Sequence, residues 1–166
     1  MSKETNLGAE LEKTLQGRVC LMGLGNPDYG DDGFGVRLAE ELLKAGALDV
    51  VLAGTAPDRY IGAAADQEFD HLVFLDAVEF GAAPGSAVLL DAREMAARFP
   101  QISTHKISLS TLAKFIEANG VTKAWLLGVQ PDSIRGRSTL SPRVRATLDV
   151  LLGLLFRLQT RDVPVC

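Results

Sequence analysis

The sequence has few of the residues that mark a disulfide scaffold, a zinc finger or a nucleic-acid binder. It holds two cysteines, Cys20 and Cys166, and two histidines, His71 and His105, in 166 residues. No CxxC pair or Cys/His spacing is present, so neither a structural zinc site nor a disulfide framework is expected. Cys20 lies in the apolar run RVCLMGL and reads as a small core residue. Positive charge is also short, with 17 Lys and Arg against 21 Asp and Glu and a net charge of −4. That balance argues against a nucleic-acid partner, which calls for a basic face. No apolar run reaches the roughly 20 residues that span a bilayer. The opening MSKETNLGAELEKTLQG lacks the apolar stretch of a secretory leader. A cytoplasmic protein without membrane insertion is the expectation.

What the chain does have is an alternation of short apolar runs and amphipathic stretches. Residues 18–24, 49–54, 71–78, 86–91 and 123–129 read as strands. Helices are predicted over 33–46, 57–67, 92–99, 109–120 and 141–158, with Val36, Ala39 and Leu43 on the inner face of the first. Ser141 is the expected N-cap of the last helix and Pro142 its first residue. The FGAAPG link between the third and fourth strands is too short for a helical crossover, so those two should run antiparallel. The pattern predicts an α/β fold, a three-layer αβα sandwich around a mostly parallel five-stranded sheet with one antiparallel strand. Residues 18–158 form one domain. Before it stands an N-terminal extension, 1–17, with a short helix carrying Leu7, Leu11 and Leu15, and after it a tail, 159–166, expected to be disordered. The apolar stretch 150–156 reads as core rather than interface, which favours a monomer.

In an open α/β sheet, ligands bind beyond the carboxyl ends of the parallel strands. The first strand delivers GNPDYGDDG there, with Asp28, Asp31 and Asp32. The second delivers Thr55 and Asp58, the third ends at Asp76, and the fifth delivers Gln130 and Asp132. The short helix after the fourth strand returns the chain, so the loop holding His105 lies near the same rim. Such a rim suits a metal ion or a cationic group. Asp32, Asp76 and His105 make a three-ligand set with mixed oxygen and nitrogen donors that leaves positions open, and that donor type suits zinc, nickel or iron. Each residue also has a plainer reading: an Asp of the pair as helix cap, Asp76 as a turn residue, His105 as a solvated side chain. Asp28 stands where a dinucleotide loop needs its third glycine, so the glycines Gly23 and Gly25 read as turn formers rather than a phosphate cradle.

The stretch GLGNPDYGDDGFGVRLAEEL, with Gly23, Gly25, Asn26, Asp31, Asp32, Gly33, Gly35 and Val36, resembles the opening motif of the hydrogenase maturation proteases. These endopeptidases trim the C-terminus of the [NiFe]-hydrogenase large subunit. GTAPD, LVFLDAVEFGAAPGSAVLLD, STHKISL, WLLGVQPDSI and TLSPRV continue the likeness from Arg18 to Leu158, with GTAP and GVQPD closest to the hydrogenase 3-type branch. The resemblance implies that Asp32, Asp76 and His105 are the metal ligands, with Asp32 where many members carry glutamate, and that Asp32 and Asp76 are also catalytic. It implies nickel carried by the precursor as the metal, and the large-subunit precursor as the partner. Asn26, Thr55, Asp58 and Gln130 are candidate substrate contacts, each with a structural alternative. Two other readings stand beside this one. A nickel-binding maturation chaperone would use the same three residues without cleavage. A peptidyl-tRNA hydrolase also opens with GLGNP, but follows it with a basic segment where this chain has YGDDGFG.

Overall fold

The computed structural model describes residues 3–98, 107–118, 120–135 and 138–161, with side chains from Leu7 onward. Its strands are β1 (Val19–Leu24), β2 (Val50–Gly54), β3 (His71–Ala77), β4 (Ala87–Asp91) and β5 (Lys123–Val129). The helices are α1 (Lys3–Thr14), α2 (Phe34–Lys44), α3 (Ile61–Asp66), α4 (Ala92–Arg98), α5 (Leu109–Ala118) and α6 (Pro142–Thr160). The sheet order is β2-β1-β3-β5-β4. All neighbours are parallel except β4, which runs antiparallel to β5. The expected mixed sheet is therefore present, but β4 does not pair with β3. Strand β5 fills the place between them, and the link from Val78 to Ser86 passes over its end.

The side-chain period of two on the strands builds the layers. Cys20, Met22, Leu72, Phe74, Ala124 and Leu126 face one side and pack with Ile61, Met95, Leu112 and Ile116 from α3, α4 and α5. Val19, Leu21, Val73, Leu75, Trp125 and Leu127 face the other and pack with residues of α1, α2 and α6. Both faces of β1 are buried along its whole length, which explains a continuous apolar run rather than an alternating one.

The helices differ from their expected faces in instructive ways. In α2, Phe34, Leu38 and Leu42 recur every four residues and are fully buried, with Val36 and Ala39 also inside. Leu43, expected on that face, is 39% exposed. Helix α1 begins earlier than expected and is no loose appendage, since its Leu11, and Leu15 just past its end, are among the most buried side chains. It lies against α6, where Gly8 approaches Leu154. This second contact explains why the 150–156 stretch is apolar on more than one face. Helix α6 runs to Thr160. Gln159, just past the expected helix end, donates to the carbonyls of Val19 and Asp49 and accepts from Asp49 N. Residues 162–166 lie outside the described residues.

Helix α2 meets the sheet through glycine. A Cβ at Gly23 would come within 2.5 Å of Gly35 O and 2.6 Å of Ala39 Cβ. One at Gly35 would sit 1.9 Å from Leu75 O and 2.5 Å from Leu24 O. The helix backbone thus rests on the carbonyls of β1 and β3, which brings the segment that precedes it down onto the strand ends.

Candidate active site

The carboxyl ends of β1 and β3 are adjacent, with Gly23 opposite Leu75 in the register. β1 runs out through Gly25, whose φ of +110° suits glycine. A Cβ at Gly25 would lie 1.9 Å from Asp32 O and 3.6 Å from Asp76 Oδ1. That bare glycine lets the Asp32 turn fold over the strand end and brings it alongside Asp76. The turn itself is a 3-10 helix, Gly30–Gly33. Within it, Asp32 Oδ2 accepts from Asn26 N at 3.0 Å, and Asn26 Oδ1 accepts from Asp28 N at 2.9 Å. Asn26 therefore braces the loop that carries Asp32.

Asp32 and Asp76 line one cavity of about 380 Å³, together with Ala77, Val78, Glu79, Pro131, Asp132, Ser133, Ile134 and Arg135. Asp76 is 3% exposed, so its carboxylate forms the floor rather than the lip. Of the other residues expected at the site, Thr55 and Asp58 are exposed and stand beyond β2, outside this cavity. Gln130 is buried. Its Oε1 accepts from Phe80 N and Ala82 N, and its Nε2 donates to Glu79. It braces the segment after β3 from behind the cavity wall. His105 lies outside the described residues. Among the described residues no three His, Cys, Asp or Glu side chains converge as a metal-holding group. His71 sits at the opposite end of β3, where its Nδ1 accepts from Trp125 Nε1 at 3.0 Å.

The two neighbouring aspartates do different work. Asp31 is completely buried. It accepts from Ser141 N at 2.7 Å, Ser141 Oγ at 2.8 Å, Asp132 N at 2.9 Å and Ser133 N at 3.1 Å. Its own N donates to Ser133 O. Two readings of the sequence change here. Asp31 does not cap α2, whose start has no side-chain cap. Ser141 does not cap α6 through its hydroxyl, which is turned to Asp31 instead. The Asp31 carboxylate ties the β1 loop to the segment after β5 and to the start of α6. Burial alone would push its carboxyl up, but the hydrogen bonds from Ser141, Ser133 and Asp132 outweigh it and hold the group below the usual carboxylate range.

Asp31→Asn replaces an acceptor oxygen with a donor among these groups. Hydrogen bonds to a charged partner contribute about 1.5–3 kcal/mol each, so a loss of about 2–4 kcal/mol of stability is expected in chemical denaturation at neutral pH. A carboxyl held low in the fold gives its full stabilisation above the ordinary carboxylate range and loses it as pH falls through the folded value. The gap between wild type and variant should therefore narrow in acid. A constant gap down to pH values below that range would show that the charge at Asp31 is not what holds the segment.

The site holds no ordinary nucleophile pair among the described residues. Cys20 is buried between the sheet and α3–α5, and its thiol is pushed up to about 12, chiefly by burial and next by Asp49. Ser133 Oγ accepts from Arg135 N, with no histidine of the described residues beside it. What converges on the cavity is a carboxylate at the end of β3, Asp76, and one on the turn that folds over the end of β1, Asp32.

A family model described as HycI, hydrogenase maturation protease, matches residues 35–157. The chain belongs to the hydrogenase maturation protease family. The hydrogenase 2 maturation protease of Escherichia coli is 32% identical over 143 residues, covering 81% of this chain and 86% of the relative. The hydrogenase 3 maturation protease of the same organism is 32% identical over 116 residues, covering 69% and 73%. Among solved structures, the [NiFe] hydrogenase maturation protease HycI from Thermococcus kodakarensis superposes with a TM-score of 0.80 at 29% identity, over 91% of this chain and 99% of that one. The αβα architecture is the one these neighbours share. Family membership carries peptidase activity with it.

The glycine-rich opening motif and Asp76 were legible in the sequence. The wall formed by Glu79 and residues 131–135 was not, apart from Asp132. The signal for it was the Asp-Ser pair after the fifth strand, whose amides needed an acceptor that only tertiary structure supplies.

Proposed function

We propose that this peptidase removes the C-terminal extension of a [NiFe]-hydrogenase large-subunit precursor after nickel has been inserted, acting in the cytoplasm as a monomer. The observation that carries the reading is the shared cavity of Asp32, on the turn after β1, and Asp76, at the end of the adjacent β3, in a chain of this family. Asp32, Asp76 and His105 meet the nickel that the substrate brings. Imidazole with two carboxylates is a donor set suited to nickel. The substrate's metal polarises the scissile carbonyl as a Lewis acid, and one of the two carboxylates orients and deprotonates the attacking water. Hydrolysis then releases the extension as a peptide. The enzyme is metal-dependent in the sense that its substrate supplies the ion. Asn26 supports the turn that presents Asp32, Gln130 supports the wall near Glu79, and Thr55 and Asp58 contact the precursor beyond the cavity.

The helices of the described residues include none long and apolar enough to cross a membrane, which agrees with a cytoplasmic site of action. The experiment is incubation with a nickel-loaded large-subunit precursor under reducing, anaerobic conditions, followed by intact-mass measurement. Loss of a C-terminal peptide is expected from the loaded precursor, and none from the metal-free one. Binding without cleavage would leave a nickel-binding chaperone as the better description. Equal cleavage of both forms would remove the role given to nickel.

A further inference from the structure

Arg135 stands out among the residues around the cavity. Four acids line it, Asp32, Asp76, Glu79 and Asp132, and Arg135 is the one basic residue among the described lining. Its place is fixed through the backbone. Asp31 takes the amides of Asp132 and Ser133, and Ser133 Oγ in turn takes Arg135 N at 3.2 Å. A buried carboxylate that the catalytic scheme does not use thus holds the short segment carrying the arginine. The described residues give Arg135 no ion pair, and it is exposed. Among the described residues its charge is therefore not used in holding the fold.

We propose that Arg135 is a specificity-determining residue that seats a carboxylate of the peptide segment to be removed. The proposal rests on the protease reading above. In a cavity walled by four acids, a substrate carboxylate is repelled everywhere except at the arginine. A cation drawn to Asp32 and Asp76 and an anion drawn to Arg135 then fix the direction in which the chain lies across the cavity. Guanidinium suits the task because its planar fork pairs with both carboxylate oxygens. The carboxylate is either an Asp or Glu side chain of the extension or its terminal group, and these share one chemistry.

The test uses Arg135→Ala and Arg135→Glu in the full chain, with two readouts. The first is steady-state cleavage of a nickel-loaded precursor whose extension is native, has its acids changed to Asn and Gln, or has them changed to Lys. The second is fluorescence anisotropy with labelled synthetic peptides of the same three extensions, each with a free or an amidated C-terminus. Loss of binding on amidation identifies the terminal group, and loss on the Asn/Gln change identifies side chains. Arg135→Glu should raise KM for the native extension about tenfold, with kcat little changed, since a mispaired charge at a partly solvated site weakens association rather than chemistry. Where side chains are the seated group, the Lys extension should recover that loss with Arg135→Glu and should bind wild type more weakly than the native extension does. Unchanged KM in both variants, or wild-type binding that neither amidation nor the Asn/Gln change weakens, overturns the inference. Should wild type cleave no loaded precursor, the protease reading fails, and peptide binding alone decides the role of Arg135.

Discussion

Asp76→Asn is expected to abolish precursor processing while the protein remains folded. The isosteric change is the informative one, because Asp76 is 3% exposed and an alanine would leave a hole under the cavity floor. Asparagine keeps the volume and one acceptor oxygen but loses the negative charge that holds a cation or accepts a proton. A positioned acid or base contributes about 10²–10⁴-fold to rate, so a loss in that range or beyond it is expected in single-turnover cleavage followed by mass. Asp32→Asn should behave alike. The double variant should be little worse than either single one, because groups acting on one ion or one water fail together. His105→Ala is expected to join them. Variants of Asp32 and Asp76 that both retain full rate would remove the site from this cavity.

The second large effect falls on stability. Gly35→Ala adds a Cβ that would stand 1.9 Å from Leu75 O and 2.5 Å from Leu24 O. Both are strand carbonyls of the central sheet, so neither can rotate out of the way as a side chain would. Helix α2 must lift off β1 and β3, uncovering Phe34, Leu38 and Leu42. Overpacking costs about 1–3 kcal/mol where side chains can yield, and here the cost should reach about 3 kcal/mol or more. For a chain of this size that is a fall in Tm of roughly 6–12 °C. Differential scanning calorimetry reads it directly. A fall of less than about 2 °C would mean that the helix does not rest on the strands through this residue.

The strands and the paired carboxylates were readable because their signals are local. An apolar run ending in glycine marks β1 whatever surrounds it, and Asp76 follows directly from the end of another such run. The topological rule for parallel sheets then puts both acids on one rim. The role of Asp31 was not readable in this way. Ser141 before Pro142 matches a helix start, and Asp31 before Gly33 matches another, so local pattern assigned each to its own helix. Their hydrogen bond joins residues 110 apart in sequence, and no window along the chain contains both. On the inner face of α2, Val36 and Ala39 were placed correctly, and Leu43 was misplaced for a related reason. Leu43 and Leu42 are equally apolar, and it is contact with the sheet and α6 that chooses between them. The contact of α1 with α6, made where Gly8 meets Leu154, was not readable because the α6 surface it covers is invisible without the fold.

The reach of Asp31 also sets when the cavity wall can form. Its partners Asp132, Ser133 and Ser141 are made 101 to 110 residues after it. At translation rates of about 5–20 residues per second, the β1 loop waits roughly 5–20 seconds for them. Until then β5 is missing from the middle of the sheet, and the wall that carries Arg135 does not exist. A nascent chain therefore carries Asp32 and Asp76 without a cavity to hold a peptide. The acids of the cavity thus come first, and their wall stands only after Asp132 and Ser133, 101 and 102 residues beyond Asp31, have been made.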